Sequence, residues 1–451
     1  MPNLKKLYLE KERDIHSSLI NLSPIVDPNF GFLTSIRRVR QHYDEPKFWH
    51  YSAKVNSKFS KNDGGPFNTQ SSGISIFSEK TALLKCLGES IERYCNFVYL
   101  KGKVSFEGPF SLVKAKAIKP ERFTGYSPHQ LQNKRFKQFV VDSNSIFTWT
   151  SCKSLLDEQK ILVPCQLIYL SYYRGKTEPI LYPPISTGTA GGSSLSAAIV
   201  RGVHEVVERD AFMIYYLNKL PAPRINLKIC KDHRIQKILR IAARYKLEII
   251  SLDITTDLPI PVVATVVIND TGIGKAVSVG LKSDLDPVEA IIGSFCEALH
   301  TRNWIRETYE KVALNTTRVD PLKNKNVEMK RRALLWYGAG ASQNLNFLLN
   351  SHKKSDIQPI KRVYKSGEHL KRLISIFAKN SYEVFYKELT LNSFREMGYF
   401  VVKVLIPGMQ PLHLNEKYPL LGGNRLYTVP ERLGFKAKTE NELNKYPHPF
   451  L

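Results

Sequence analysis

The stretch STGTAGGSSLSAAIVRGVHEVVERDAF, from Ser186 to Phe212, decides how the whole chain is read. Its first part, Ser186 to Ser193, is a run of small residues that predicts a loop, and the residues after it predict a helix from about Ser194 to Asn218. Within that helix stands Glu205-Val206-Val207-Glu208-Arg209. The same ExxER pentad recurs at Glu89-Ser90-Ile91-Glu92-Arg93, in a helix predicted from about Ser78 to Phe97 by Leu83, Leu84, Leu87, Ile91 and Tyr94 at helical spacing.

Glutamates three apart share one helix face, so each pentad presents two carboxylates beside a guanidinium. A single pentad is ordinarily a solvated face with an ion pair, but two copies flanked by apolar residues do not fit that reading. Two such helices facing each other gather four carboxylates. A third helix, predicted from about Pro287 to Glu307, offers Glu297 and, two turns earlier, Glu289. Clustered carboxylates repel unless cations neutralise them, and hard oxygen ligands with room for phosphates suit Mg2+. Arg93 and Arg209 are candidates to grip phosphate oxygens, the alternative being an ion pair within their own helices. The amides of Gly188 to Ser193 either meet an anion or simply open the helix. Arg174-Gly175-Lys176-Thr177 looks like the end of a phosphate loop, but Leu170 stands where the first glycine belongs, and a hairpin turn is expected.

With 451 residues, 43% apolar and 11% aromatic, the chain has the composition of a folded protein of two or three lobes, and disorder is not its default. Its apolar runs, such as Phe400 to Pro407, are less than half of the ~20 residues that span a bilayer. Met1 to Arg13 is charged throughout and lacks an apolar signal core, so a cytoplasmic protein without membrane attachment is expected. Cys86, Cys95, Cys152, Cys165, Cys230 and Cys296 form no CxxC pair and predict buried free thiols. The formal charge of +25 favours an anionic partner such as a nucleotide, an acidic peptide or a nucleic acid, with a solvated basic surface as the plainer account. No aromatic-plus-basic RNA-binding motif is visible, and no nucleic acid is expected.

Residues 1–70 read as an irregular, strand-poor segment packing on a main domain of residues 71–451, with a basic cluster at Arg37, Arg38 and Arg40 and a turn-rich stretch from Lys61 to Asn68. Strands are predicted over Lys160 to Tyr173, Glu248 to Ile254, Pro261 to Ile268, Lys275 to Leu281 and Tyr399 to Ile406, with a helix over Ile235 to Tyr245. Residues 310–375 predict helices and a mobile connection. The tail, residues 440–451, is Pro-containing and on composition alone is a loose terminus. The succession is α+β, with helices packed on mainly antiparallel sheet.

KTALLKCLGESIERYC (Lys80 to Cys95), the Ser186 to Phe212 stretch, DPVEAIIGSFCEALHTR (Asp286 to Arg302), VLIPGMQPLHL (Val404 to Leu414), GGNRLYTVPERLG (Gly422 to Gly434) and the closing PHPFL together carry a resemblance to the YcaO family of ATP-dependent amide-activating enzymes. It spans about Gly73 to Leu451. The resemblance implies the YcaO fold, with an ATP and Mg2+ site between facing helices. It implies Glu89, Glu92, Glu205, Glu208 and Glu297 as metal ligands, and a nucleotide site that draws on Arg93, Arg209, Gly73, Lys85, His300 and Arg302. Lys85 stands where family members usually carry Ser, His300 where they carry Gln, and Ser71-Ser72-Gly73 replaces a GKG-like turn. The Pro-rich end resembles that of the azoline-forming branch, which makes His448 and the Leu451 carboxylate candidates for positioning or proton transfer.

The expected function is that of a stand-alone cyclodehydratase subunit making thiazoline or oxazoline rings in a precursor peptide, as in bacteriocin biosynthesis. A thioamide-forming enzyme and a non-catalytic scaffold are the alternatives. A separate leader-peptide-binding protein is the expected partner, a flavin-dependent dehydrogenase a further one, and a homodimer the expected assembly.

Overall fold

In a computed structural model, the chain is described over residues 2–10, 12–56, 70–99, 106–123, 125–172, 174–175, 177–269, 275–313, 329–338, 340–351, 353–355, 357–358, 362, 364 and 366–450. The turn-rich stretch Lys61 to Asn68, Leu451 and, within the 310–375 segment, residues 314–328 lie outside these residues.

The chain forms two units, each built from non-contiguous segments. The first takes residues 1–40, 48–206 and 364–409 and carries two antiparallel sheets. One has the order β1 (Leu33–Arg38), β2 (Trp49–Val55), β3 (Gln70–Ser75). The other runs β4 (Phe106–Pro109), β5 (Ile146–Ser154), β11 (Phe385–Glu388), β12 (Phe400–Leu405), β7 (Thr189–Gly192), with β6 (Lys160–Pro164) also paired to β5. The helix Glu79–Phe97 begins where the Ser78 hydroxyl caps the amide of Thr81, and packs on β2 and β3. Its buried face of Cys86, Leu87, Ile91, Tyr94 and Cys95 enters a core shared with Trp149, Val401 and Leu405.

The second unit takes residues 41–47, 207–363 and 410–451. Its antiparallel sheet has the order β10 (Val277–Ser283), β9 (Val262–Ile268), β8 (Glu248–Asp253). Every residue of β9 is buried, as its unbroken VVATVVI run requires. The helices Pro287–Ala313 and His233–Arg244 pack on this sheet. Arg425, from the GGNRLYTVPERLG motif, makes a two-pronged contact with buried Asp210, which also accepts the amide of Gln410, so this motif holds the fold. The helix Leu195–Asn218 supplies residues to both units.

The mixed helices and antiparallel sheets make the fold α+β, as expected. Residues 1–70 are not strand-poor. β1 and β2 lie there, preceded by helices Pro2–Leu9 and Ile15–Leu22, and β3 continues their sheet across the boundary expected at residue 70. The strand signal is weak because β1 leaves Ser35, Arg37 and Arg38 exposed and keeps only Leu33 fully buried. The strand expected to reach Tyr173 ends at Pro164, where a 3-10 turn over Cys165–Leu167 follows. The Glu178 amide donates to the Gly175 carbonyl, but no strand follows directly to make the expected hairpin. All six cysteines are free and buried. No helix among the described residues is long and apolar enough to cross a membrane.

Candidate functional site

In each unit, an end strand of a three-stranded sheet lies so close to a carboxylate-bearing helix that only glycine fits. A Cβ on Gly73 of β3 would sit 2.2 Å from the carbonyl oxygen of Ala82 and 2.3 Å from the amide of Cys86. A Cβ on Gly280 of β10 would sit 2.1 Å from the carbonyl oxygen of Ser294 and 2.2 Å from the amide of Ala298. Close approach brings the adjacent strand amides onto the glutamates. Ser72 donates to Glu89 at 2.6 Å and Leu281 donates to Glu297 at 2.6 Å. The echo in the fold thus pairs the Glu79–Phe97 helix with Pro287–Ala313, whereas the repeated ExxER pairs it with Leu195–Asn218.

The first unit holds Glu89, Glu92 and Glu205. The amide of Gly191 donates to Glu92 at 3.1 Å, and that of Gly188, at φ +84°, donates to Glu205 at 3.2 Å. Two of the amides expected to meet an anion or open a helix, those of Gly188 and Gly191, are therefore turned onto carboxylates, and half of the expected loop is strand β7. Lys403, buried in β12, donates to the Ile185 carbonyl at 2.8 Å. Loss of solvation pushes the Lys403 ammonium down to about 8, while the charges of Glu205 and Glu92 act to hold it protonated. The Glu92 carboxyl is raised well above the usual carboxylate range by loss of solvation and by its neighbours Glu205 and Glu89. Arg93 is engaged by the Gln70 carbonyl at 2.8 Å and by Glu89 at 2.5 Å.

The second unit holds Glu208 and Glu297. Glu208 is buried and accepts from the amide of Ser283 at 2.9 Å and from Lys282 at 3.1 Å. The Glu297 carboxyl is pushed up to about 7 by loss of solvation, with Glu208 adding to the rise and Arg209 opposing it. Carboxyls raised in this way mark negative charge that the protein itself leaves under-compensated. Oxygen donors in that state fit a hard divalent cation such as Mg2+.

Several expected residues are placed elsewhere. Glu289 does not join the carboxylates, because Arg234 takes it at 2.6 Å while also pairing with Asp232. Arg302 is 1% exposed, with Nε 2.9 Å from both oxygens of Glu45 and Nη1 2.6 Å from the Ala276 carbonyl, so it is a core arginine rather than a nucleotide ligand. Gly73 is buried under the helix backbone and serves packing. Lys85 is exposed and His300 is half-buried. Sequence reasoning does not single out Lys282 or Lys403. A lone lysine inside the apolar strand FVVKVL is the available signal, since an unpaired buried ammonium is costly.

The tail is packed rather than loose. His448 is 1% exposed, with Nε2 2.6 Å from Nη1 of Arg332 and 2.8 Å from the carbonyl oxygen of His413. Burial, and then Arg332, push His413 down to about 3, and the same causes in the same order hold His448 well below the ordinary imidazole range. Both rings are thus neutral in the folded protein and take up protons when released. Their contribution to stability is present above the unfolded value near 6.5 and is lost as pH falls below it, and His448→Gln is expected to flatten the pH dependence of urea unfolding.

A family model described as YcaO cyclodehydratase, ATP- and Mg2+-binding, matches residues 76–410. An uncharacterized protein of Methanothermobacter thermautotrophicus is 24% identical over 302 residues, 64% of this chain and 72% of that protein. Among solved structures, a heterocyclase in complex with substrate and cofactor has a TM-score of 0.80 at 23% identity, covering 98% of this chain. This chain spans only 59% of the length of that heterocyclase. YcaO from Methanopyrus kandleri, bound with AMPPCP and Mg2+, has a TM-score of 0.61 at 13% identity, covering 90% of this chain and 94% of that one. The E. coli microcin synthetase McbBCD complex contains a chain with a TM-score of 0.55 at 14% identity, covering 85% of this chain and 89% of that one. On the family match over most of its length, and with the fold agreeing, the chain belongs to the YcaO family.

Proposed function

We propose that the chain is an ATP- and Mg2+-dependent cyclodehydratase subunit that converts Cys, Ser or Thr residues of a ribosomally made peptide into thiazoline or oxazoline rings. The observation that carries this reading is the pair of carboxylate clusters oriented by strand amides, in which Glu92 and Glu297 stay under-neutralised. Glu89, Glu92, Glu205, Glu208 and Glu297 are the proposed Mg2+ ligands. Lys403 and Lys282 limit repulsion within each cluster, and the amides of Ser72, Gly188, Gly191, Leu281 and Ser283 fix the carboxylates in place. Arg93 and Arg209 are the proposed phosphate contacts.

When bound, ATP supplies a phosphoryl group that makes an amide oxygen a leaving group, and Mg2+ neutralises the charge that develops. The substrate's thiol or hydroxyl would add to the carbonyl carbon of the preceding residue, closing the five-membered ring and giving up its proton. The former carbonyl oxygen would take the phosphoryl group that ATP supplies. Loss of phosphate from carbon and of the proton from the amide nitrogen would then form the C=N bond, leaving the peptide lighter by one water. His448 is too buried to exchange protons with a substrate in this state, so its proposed role is to position the tail. Leu451 lies outside the described residues.

A leader-peptide-binding protein, a flavin-dependent dehydrogenase that oxidises the ring, and a second copy of the chain are the proposed partners. Supporting a partner protein, one similar solved structure is described as a synthetase complex. The test is to incubate the protein with ATP, Mg2+, a peptide rich in Cys, Ser and Thr and the products of neighbouring genes, following phosphate and peptide mass. One water lost per phosphate released is expected. Exchange of oxygen for sulfur in the peptide would identify a thioamide-forming enzyme, and ATP binding with no turnover under any pairing would identify a scaffold.

A further inference from the structure

The C-terminal segment is tied down within the second unit residue by residue. The amide of Asn444 donates to the Leu217 carbonyl at 2.7 Å, and the Tyr216 hydroxyl donates to the carbonyls of Tyr446 and Pro447 at 3.2 and 3.1 Å. Arg332 is fully buried and meets His448 through Nη1, while Nη2 reaches the Leu414 carbonyl at 2.7 Å and the Glu416 carboxylate at 2.5 Å. Phe450 follows, buried against Phe212, and the guanidinium of Arg209 lies over its ring at 3.9 Å. Arg209 neighbours Glu208 in the helix, and its charge acts on Glu297.

We propose that Phe450 is a positioning residue for Arg209: the anchored tail presents the ring as a platform that fixes the guanidinium beside the Glu208 and Glu297 cluster, and so sets the affinity for magnesium nucleotide. The proposal rests on the reading of the chain as an ATP- and Mg2+-dependent enzyme. Phe450 has no polar group, so what it offers Arg209 is the negative face of its ring. A guanidinium stacked this way keeps its N–H groups in the plane, where they remain able to donate side by side to phosphate oxygens. An arginine without the platform must lose more rotamer freedom on binding. Arg332 and Glu416 belong to the same device, because the ring stays in place only while the tail is held.

The experiment measures binding of the non-hydrolysable analogue AMPPCP with Mg2+ by calorimetry, and KM for ATP beside kcat, in full-length variants. Phe450→Leu is expected to weaken binding about three- to tenfold, with KM rising rather than kcat falling, and Phe450→Tyr to restore it. In an Arg209→Met background, Phe450→Leu is expected to change nothing further, as two residues acting through one contact require. Arg332→Met, which frees the tail without touching the ring, is expected to make the C-terminus sensitive to carboxypeptidase and to weaken AMPPCP binding likewise. Unchanged binding in Phe450→Leu, or an equal loss with and without Arg209, overturns the proposal. Failure of the unaltered protein to bind the analogue overturns the functional reading itself, and this proposal with it.

Discussion

Glu208→Gln is expected to lower ATP turnover about 100-fold or more without unfolding the protein. Glutamine keeps the shape of the side chain and an oxygen that still accepts the Ser283 amide, so β10 and the Leu195–Asn218 helix remain joined. What is lost is the charge, and with it one of the oxygen donors proposed to hold Mg2+. Phosphate release and thermal unfolding, measured side by side, separate these effects. Turnover within a few-fold of the unaltered protein would remove Glu208 from the site. Glu289→Gln is the matched control on the Pro287–Ala313 helix, because Arg234 already engages that carboxylate away from the cluster.

Arg302→Met is expected to cost about 3–5 kcal/mol of stability while leaving the ATP KM of the folded fraction unchanged. Arg302 and Arg306 share Glu45, all three side chains being almost wholly buried, and Arg306 also reaches Asp44 at 3.0 Å. Removing one guanidinium leaves Glu45 under-compensated in an interior that solvates it poorly. Urea unfolding reads the loss directly. A variant of ordinary stability whose ATP KM rises would restore Arg302 to the nucleotide site.

The carboxylate helices are legible in the sequence because their signals are local. Glutamates three apart, apolar neighbours at helical spacing and the cap at Ser78 are properties of short windows of sequence. Non-local pairing hides the rest. Nothing in the segment around Ser72 or Leu281 announces that its amide will orient a glutamate sixteen or so residues later, because that depends on a strand meeting a helix at Gly73 or Gly280. Arg302 looks like a ligand because it comes after Glu297 in a motif, yet its partner Glu45 lies far away in sequence. The tail misleads in the opposite direction. Proline-rich composition predicts a loose end, whereas Tyr216, Arg332 and Phe212 bury it through contacts that only the folded chain supplies.

In the proposed reaction a backbone amide oxygen of a peptide is phosphorylated and expelled. A peptide carrying heavy oxygen in the backbone carbonyls that precede its Cys, Ser and Thr residues, incubated with the protein, the products of neighbouring genes, ATP and Mg2+, tests this step. One labelled inorganic phosphate for each ring formed, with ADP free of label, is expected. Ring formation with unlabelled phosphate, or label appearing in AMP, would contradict it.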